Sequence, residues 1–234
     1  MPPVVDPLAR FWPLLGLRLA TPRLVLTPLR DPDMPEVLEL ILDGVHEPGA
    51  MPFYLPWTEA PRDELIPNTL RYWWTSRGAL LPTDWALPFV VRMSGSVLGV
   101  QDLMAKDFAV TRTVHTGSFL GLAHHGRGVG TEMRAAVLDF AFDHLKAERA
   151  DSSAFTDNPA SLRVSEKLGY SFDGTRVVQR RPGERAVEQR LILTPADFRR
   201  PAWRVQVAGL EPCRSMLGVD PLVRADPGAG SPAP

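Results

Sequence analysis

The chain has 234 residues, of which 44% are hydrophobic and 23% are charged, and these proportions are typical of a globular protein and exclude a disordered one. Lys and Arg total 26 and Asp and Glu total 27, so the formal charge is −1, which argues against nucleic acid or an anionic membrane surface as the main partner. The single cysteine, Cys213, excludes an intramolecular disulfide and a cysteine-based metal site.

Residues 1–17 are predicted to be an irregular N-terminal segment. Their apolar stretch is interrupted by Pro13 and Gly16 and is closed by Arg18, unlike a signal peptide. Nowhere does the chain have about 18 consecutive apolar residues, so no transmembrane helix is expected. We therefore expect a cytoplasmic protein with no membrane partner.

The predicted elements of the first half are, in chain order, a strand at 23–29, a helix at 35–42, a loop at 44–62, a helix at 63–76 and a hairpin at 86–103. The strands are predicted from alternating or β-prone apolar runs, and the helices from apolar residues three and four positions apart. Pro35 suits the first turn of the first helix, and Ser94-Gly95-Ser96 is typical of a hairpin turn.

The predicted elements of the second half are a strand at 110–122, a helix at 131–147, a strand at 151–155, a helix at 160–168 and a hairpin at 170–193. Antiparallel hairpins combined with a central strand–helix–strand unit predict an α+β (mixed α/β) fold in one domain. That domain is predicted to span 18–200, followed by an extension at 201–224 that adds a strand and a disordered tail at 225–234.

A glycine cluster lies between the strand at 110–122 and the helix that follows, and it runs from His124 to Thr131. Glycines allow close approach of a ligand to backbone N–H groups, and the positive end of the helix favours a phosphate or pyrophosphate. A dinucleotide fingerprint does not fit, because Thr131 or Met133 stands at its third glycine, and Arg127 stands at the lysine of a nucleotide-binding P-loop. A turn without a ligand remains the alternative.

The cluster resembles the acyl-CoA-binding motif [Q/R]-x-x-G-x-[G/A] of the GCN5-related N-acetyltransferase (GNAT) family, with His125 at the first position where the family has Gln or Arg. Two further segments are similar to the ribosomal-protein-acetylating branch: Thr21-Pro22-Arg23-Leu24, and Asn158-Pro159-Ala160-Ser161 with Glu166-Lys167-Leu168-Gly169-Tyr170. The resemblance covers about residues 18–200. Other segments resemble an actinobacterial subgroup, one relative of which is associated with succinyl transfer.

The resemblance implies a twisted mixed sheet of about six or seven strands with helices on both faces, in which the central strand and the strand at 151–155 run parallel and separate at the glycine cluster. It also implies direct transfer of an acyl group from acetyl-CoA or succinyl-CoA to an amine acceptor, no metal, and a homodimer. The residues implied in binding the CoA substrate are Phe119, Leu120, Leu122, His125, Gly126, Arg127, Gly128, Val129, Gly130, Thr131, Asn158 and Ser161.

Two residues after the strand at 151–155 have both a catalytic and a capping interpretation. Ser161 matches the family position that stabilises the leaving thiolate, and Asn158 matches the position that contacts the pantetheine arm. Both residue types are also common at a helix N-terminus, where they cap the helix. No general base is identified. His115 is the leading candidate, His46 and Glu47 follow, Asp102 and Asp107 are weaker, and a water chain is the remaining alternative.

The loop at 44–62 is a candidate wall of the acceptor pocket, through His46, Glu47, Met51 and Phe53, although its aromatic residues are also consistent with plain core. The arginines at 176–190 are interpreted as a solvated face, with binding of an acidic acceptor or a carboxylated acyl group as the alternative. The adjacent His124 and His125 are not expected to bind a metal, because neighbouring side chains point apart. An acyl-CoA-binding sensor without turnover is the rival to the enzyme hypothesis.

Overall fold

The strands of the computed structural model, which describes residues 6–219, form a nine-stranded sheet. In chain order they are β1 (Arg18–Ala20), β2 (Val25–Pro28), β3 (Asp84–Met93), β4 (Ser96–Lys106), β5 (Thr113–Leu120), β6 (Arg149–Phe155), β7 (Ser171–Arg181), β8 (Glu184–Leu193) and β9 (Gln206–Ala208). Across the sheet the order is β7-β8-β6-β5-β4-β3-β2-β1-β9. All neighbouring pairs are antiparallel except β5 and β6, which run parallel, as predicted.

Helices cover both faces of the sheet, which confirms the predicted architecture. They are α1 (Met34–Asp43), α2 (Arg62–Gly78), α3 (Phe108–Thr111), α4 (Val129–Asp139) and α5 (Pro159–Leu168). Neighbouring residues of a strand point to opposite faces. Val90 packs with α1 and α2 on one side, here called the α1 face, and Phe89 packs with α4 on the other, here called the α4 face. A six-residue π-helix, Phe140–Leu145, continues α4.

The hairpin between β3 and β4 shows why the chain turns where it does. Met93 pairs with Ser96, so Ser94 and Gly95 alone form the turn. Both residues have positive φ angles, +52° and +94°, which is the conformation that matches the twist of the two strands. The predicted hairpins at 86–103 and 170–193 are both present.

The sheet has more strands than the predicted six or seven, because β9 joins its edge and because β1, only three residues long, carries no readable alternation. β9 lies in the predicted extension at 201–224 and pairs with β1. The predicted strand at 110–122 begins only at Thr113, because α3 occupies the residues before it. Residues 1–5 and 220–234, with the predicted tail at 225–234, lie outside the described residues. Between residues 6 and 219, no helix has the length and apolar character needed to cross a membrane.

Candidate functional site

A gap opens between the two parallel strands. β5 and β6 pair only from Thr113 to His115, although β5 continues along β4 to Leu120 and β6 continues along β8 to Phe155. The strands therefore separate towards their carboxyl ends, as the sequence predicted. α4 follows β5 in the chain and α5 follows β6, so both helices begin at the open end of this gap.

One strand directs backbone N–H groups into the gap. The Gly121 N–H donates to the Leu98 carbonyl at 2.9 Å, towards β4. Alternate residues of an antiparallel ladder bond to the same neighbour, so the N–H groups of Leu120 and Ser118 point the other way, towards β6. Because β6 is no longer paired at this level, these donors are available to a ligand carbonyl.

The chain passes from β5 into α4 through two glycines with left-handed backbones, Gly126 (φ +74°) and Gly128 (φ +75°). The first N–H of the helix to find an acceptor is that of Glu132, which donates to the Gly128 carbonyl at 3.1 Å. Within the described chain, no protein acceptor meets the N–H groups of residues 126–131, here called the cradle. Free N–H groups at the positive end of a helix suit a phosphate or pyrophosphate.

His125 and Leu122 support the cradle. The His125 ring Nε2 lies 3.1 Å from the Leu120 carbonyl oxygen, so it is the donor and ties the end of β5 to the cradle. The Leu122 N–H donates to the Gly44 carbonyl at 2.9 Å and thereby joins the cradle to the loop at 44–62. The side chain of His125, at the first position of the motif, is therefore hydrogen-bonded to the protein's own backbone. Nowhere in residues 6–219 do three His, Cys, Asp or Glu side chains form a group that could hold a metal ion.

Arg23 is a cation at the cradle that sequence reasoning missed. Its Nε donates to Glu132 at 2.6 Å, its Nη1 donates to the Arg127 carbonyl at 3.3 Å, and its Nη2 lies 3.6 Å from where a Cβ on Gly128 would be. The side chain is 47% exposed, so the guanidinium remains open to an anion. The available signal was the segment Thr21-Pro22-Arg23-Leu24, whose relation to the cradle depends on tertiary packing.

Asn158 and Ser161 begin α5 beside the gap. The Asn158 Oδ1 accepts from the Ser161 N–H at 3.1 Å, which is N-cap geometry, and it leaves the Asn158 amide NH₂ unused within the described residues. The Ser161 hydroxyl has no protein partner there either, and the residue is half-buried. A Cβ on Gly130 would lie 3.6 Å from Leu120 and 3.8 Å from Val164, so the cradle, β5 and α5 meet at this point.

A buried arginine connects these elements. Arg134 of α4 donates from Nη1 to the Ser165 hydroxyl at 3.0 Å and from Nη2 to the Ser118 hydroxyl at 3.4 Å, and its Nε has no partner. Ser165 in turn donates to the Ser161 carbonyl at 3.1 Å. Burial lowers the pKa of Arg134, and no carboxylate forms an ion pair with it in the described chain.

The loop at 44–62 covers the end of β5 on the α1 face. Aromatic contacts run from His46 through Phe53 and Trp57 to Phe119, with ring centroids 5.8, 5.1 and 5.7 Å apart. Both ring nitrogens of His46 are engaged, with the Thr58 hydroxyl at 2.8 Å and the Glu47 carbonyl at 2.9 Å. The Glu47 side chain is exposed, and Met51 is buried.

Three arginines of the β7–β8 hairpin are paired, which corrects the interpretation as a solvated face for these three, whereas Arg185 and Arg190 are exposed as predicted. Arg181 donates to Glu59, and Arg180 donates to the Met51 carbonyl at 3.3 Å. Arg176 pairs with Glu188 at 2.6 Å and lies 5.1 Å from the centre of the Tyr54 ring. All three contact the loop at 44–62, which is distant in sequence and folds back onto the hairpin, and each also pairs with Glu184 or Glu188 of the hairpin itself.

A groove of about 590 Å³ crosses the sheet next to the gap. Its lining includes Met104, His115, Asp151, Ser153, Arg176 and Glu188. His115 is exposed and lies on the α1 face, since its neighbour Val114 packs into the α4-face core. Three carboxylates of the groove are neutralised: Arg149 pairs with Asp151 at 2.5 Å and with Asp173 at 3.4 Å, and Glu188 is bound by Arg176.

Asp102 of β4 is a carboxylate beside the gap without such a partner. It stands opposite Gly117 of β5 and points to the α1 face, as does Val100 two residues earlier. Burial raises the pKa of the Asp102 carboxyl to about 7. Sequence reasoning placed it low among the candidate bases; the available signal was a carboxylate inside an otherwise apolar strand.

Comparison with known proteins places this geometry in a family. The family described as "Acetyltransferase (GNAT) domain" matches residues 23–171. The Bacillus subtilis (strain 168) protein named "Probable N-acetyltransferase YjcK" is 40% identical over 78 residues, which are 33% of this chain and 43% of that protein. The chain thus aligns with less than half of that relative.

Solved structures share the fold. Mycobacterium smegmatis RimJ in complex with CoA-disulfide has a TM-score of 0.63 at 18% identity and covers 80% of this chain and 89% of its own. RimL, a ribosomal L7/L12 alpha-N-protein acetyltransferase in complex with coenzyme A, has a TM-score of 0.56 at 13% identity, covering 74% and 95%. A chimera of the Vibrio cholerae spermidine N-acetyltransferase SpeG has a TM-score of 0.57 at 15% identity, covering 74% and 96%. At these identities the likeness concerns the fold alone.

Proposed function

Because the chain belongs to the GNAT acetyltransferase family, we propose that it is an acyl-CoA-dependent N-acyltransferase. The observation that carries the proposal is the cradle, whose N–H groups lack protein acceptors and lie at the open end of the gap between β5 and β6. We place the enzyme in the cytoplasm and propose that it acts as a homodimer, as the family resemblance implies.

The cradle would hold the pyrophosphate of the CoA substrate through its N–H groups, with Arg127 and Arg23 as charge-assisted donors. The pantetheine arm would enter the gap and contact the free amide NH₂ of Asn158. The thioester carbonyl would accept a hydrogen bond from the Leu120 N–H, and the loss of such a donor typically costs about 10²–10³ in rate.

The amine nitrogen would attack the thioester carbon directly, so that an N–C bond forms and the C–S bond breaks without an acyl-enzyme. The Ser161 hydroxyl, free of protein partners in the described chain, would hydrogen-bond to the departing thiolate. Cys213 has no part in this scheme, because it is fully buried, donates to the Gly209 carbonyl, and has a pKa raised by burial to about 11.

We propose acetyl as the transferred group, with succinyl as the alternative. A succinyl carboxylate needs a cation, and the arginines of the β7–β8 hairpin that face the loop, Arg176, Arg180 and Arg181, already bind carboxylates. The same reasoning applies to the acceptor. A polyamine needs several free carboxylates, whereas Asp151, Asp173 and Glu188 of the groove are neutralised. We therefore propose an acceptor with one reactive amine, such as the amino terminus of a protein.

Isothermal titration with acetyl-CoA, succinyl-CoA and CoA tests the donor side. Gly128→Ala places a side chain on a left-handed residue of the cradle and should weaken binding at least about tenfold. Gly95→Ala is the matched control, because Gly95 also has a positive φ but lies in the β3–β4 turn with open space around it. Wild-type binding lost equally in both variants, or retained in Gly128→Ala, would contradict the cradle.

Turnover tests the acceptor side. Wild type with acetyl-CoA should acylate a short lysine-free peptide with a free amino terminus faster than it acylates spermidine, measured by release of free CoA thiol. The reverse preference would overturn the proposed acceptor class. Binding of acetyl-CoA with no acylation of either amine would support the sensor hypothesis instead.

A further inference from the structure

Asp102 is unusual among the half-buried and buried carboxylates of residues 6–219. Asp33, Asp139, Asp151 and Glu188 each bind at least one arginine. Within residues 6–219, no side chain forms a hydrogen bond or ion pair with the Asp102 carboxylate, and only its backbone carbonyl is bonded by a side chain, from Gln101. A partly desolvated carboxylate left without a cation is costly for folding, which points to a role in binding or chemistry.

Asp102 faces Gly117, three residues before the end of β5 at the gap. Its Oδ2 lies 3.6 Å from the position that a Cβ on Gly117 would occupy. Because residue 117 is glycine, no side chain separates the carboxylate from the strand whose next N–H groups point into the gap. Phe119, two residues further along the same face, packs against Trp57, whereas Thr116 and Met104, next to Gly117, line the groove.

The surroundings of Asp102 leave its charge unbalanced. Tyr72 of α2 senses the charge of Asp102, which together with burial raises the pKa of its hydroxyl, and His115 lies on the same face of β5. The carboxylate of Glu36, from α1, is bound at the start of β4 instead. Burial alone accounts for the raised pKa of Asp102, near 7, which suits a base that works close to neutral pH.

The other candidate bases are less well placed. Both ring nitrogens of His46 are occupied, and the Glu47 side chain is exposed. His115 stands two residues further from the gap end of β5 than Gly117, next to Asp151, and it lines the groove.

We infer that Asp102 is the catalytic base that takes the proton from the acceptor amine, an assignment that rests on the proposed function. As the amine nitrogen bonds to the thioester carbon and the C–S bond breaks, the proton from nitrogen passes to the Asp102 carboxylate, directly or through one water. The thiolate leaves with the electron pair of the C–S bond and is stabilised by the Ser161 hydroxyl. Gly117 provides the opening through which the amine reaches both the carboxylate and the thioester.

The test compares Asp102→Asn, Gly117→Ala and His115→Gln with wild type, using acetyl-CoA and whichever of the two amine probes wild type acylates. For wild type, kcat/KM should rise with pH through an apparent pKa near 7. In Asp102→Asn, kcat/KM should fall about 10²–10⁴-fold and should no longer rise with pH near 7, while acetyl-CoA affinity stays unchanged. The later rise due to the amine itself, near pH 8 for an α-amino group, should remain.

His115→Gln is the matched control, and its kcat/KM should still rise with pH near 7. Gly117→Ala should lower kcat/KM for the amine without changing acetyl-CoA affinity. An Asp102→Asn variant with the wild-type pH profile would overturn the inference. Loss of the rise in kcat/KM near pH 7 in His115→Gln instead would also overturn it. Loss of acetyl-CoA binding in Asp102→Asn would assign the residue a structural role and would also overturn it. If wild type binds acetyl-CoA but acylates neither probe, the proposed function fails, and the inference with it.

Discussion

Replacement of Arg134 by Met should make the protein more stable and less active. Arg134 is 6% exposed and its guanidinium has no carboxylate partner in the described chain, so its burial costs several kcal/mol. This cost is offset by one well-formed hydrogen bond, to Ser165 at 3.0 Å, which is worth about 1.5–3 kcal/mol. The contact to Ser118 at 3.4 Å is long and is not counted. Met fills similar space without a charge, so the free energy of unfolding should increase by about 1–2 kcal/mol.

The assay is thermal unfolding together with steady-state kinetics. For a chain of this size the increase corresponds to a Tm higher by about 2–8 °C. The kcat should fall about tenfold with unchanged acetyl-CoA affinity, because Arg134 links Ser118 to the helix that carries Ser161. Arg200→Met is the control with the opposite sign: Arg200 binds the buried Asp139 at 2.6 Å, so its loss should lower stability by about 1–3 kcal/mol. An Arg134→Met variant less stable than wild type by more than about 1 kcal/mol would refute the reasoning.

Three further predictions concern single side chains. Ser161→Ala should lower kcat about tenfold in steady-state assays at unchanged acetyl-CoA affinity, and an unchanged kcat would leave Ser161 with its backbone capping role alone. Asp139→Ala should lower the free energy of unfolding in urea by about 2–4 kcal/mol, because the buried N–H of Val205 loses its acceptor at 2.9 Å; a loss under about 1 kcal/mol would contradict this. The raised pKa of Asp102 means that the folded state holds the proton more tightly than the unfolded state, so stability falls as pH rises from the unfolded value of 3.8 to about 7. Asp102→Asn should therefore melt above wild type at pH 8 and close to it at pH 4, and equal Tm values at pH 8 would contradict the burial of this carboxyl.

The parts of the site that are local in sequence could be predicted. The cradle and the start of α5 each occupy a short strand–helix connection, so their glycines, cap and helix start are visible in consecutive residues. Arg23 and Asp102 escaped because their positions depend on register: Arg23 reaches residues more than a hundred positions away, and Asp102 gains its environment from Gly117 across the sheet. The three-residue strand β1 likewise shows too little periodicity to be recognised.

The order β5–α4–β6–α5 explains why the donor site lies where it does. A parallel pair requires a crossover, so α4 leaves the end of β5 and returns the chain to the start of β6, and α5 then begins at the end of β6. Both helices therefore direct positive N-terminal ends towards the carboxyl edge of the two strands, where ligands bind in open α/β sheets. Because β6 turns away along β8 at this edge, the same topology that creates two anion-attracting helix ends also leaves the backbone of β5 free between them. The acceptor side has no such topological determinant, since its groove is lined by side chains from six different strands. Its chemistry depends on which of those side chains remain unpaired. In the described chain, the unpaired carboxylate next to the gap is Asp102. Its substitution is therefore the experiment that best distinguishes a catalytic base from a structural residue.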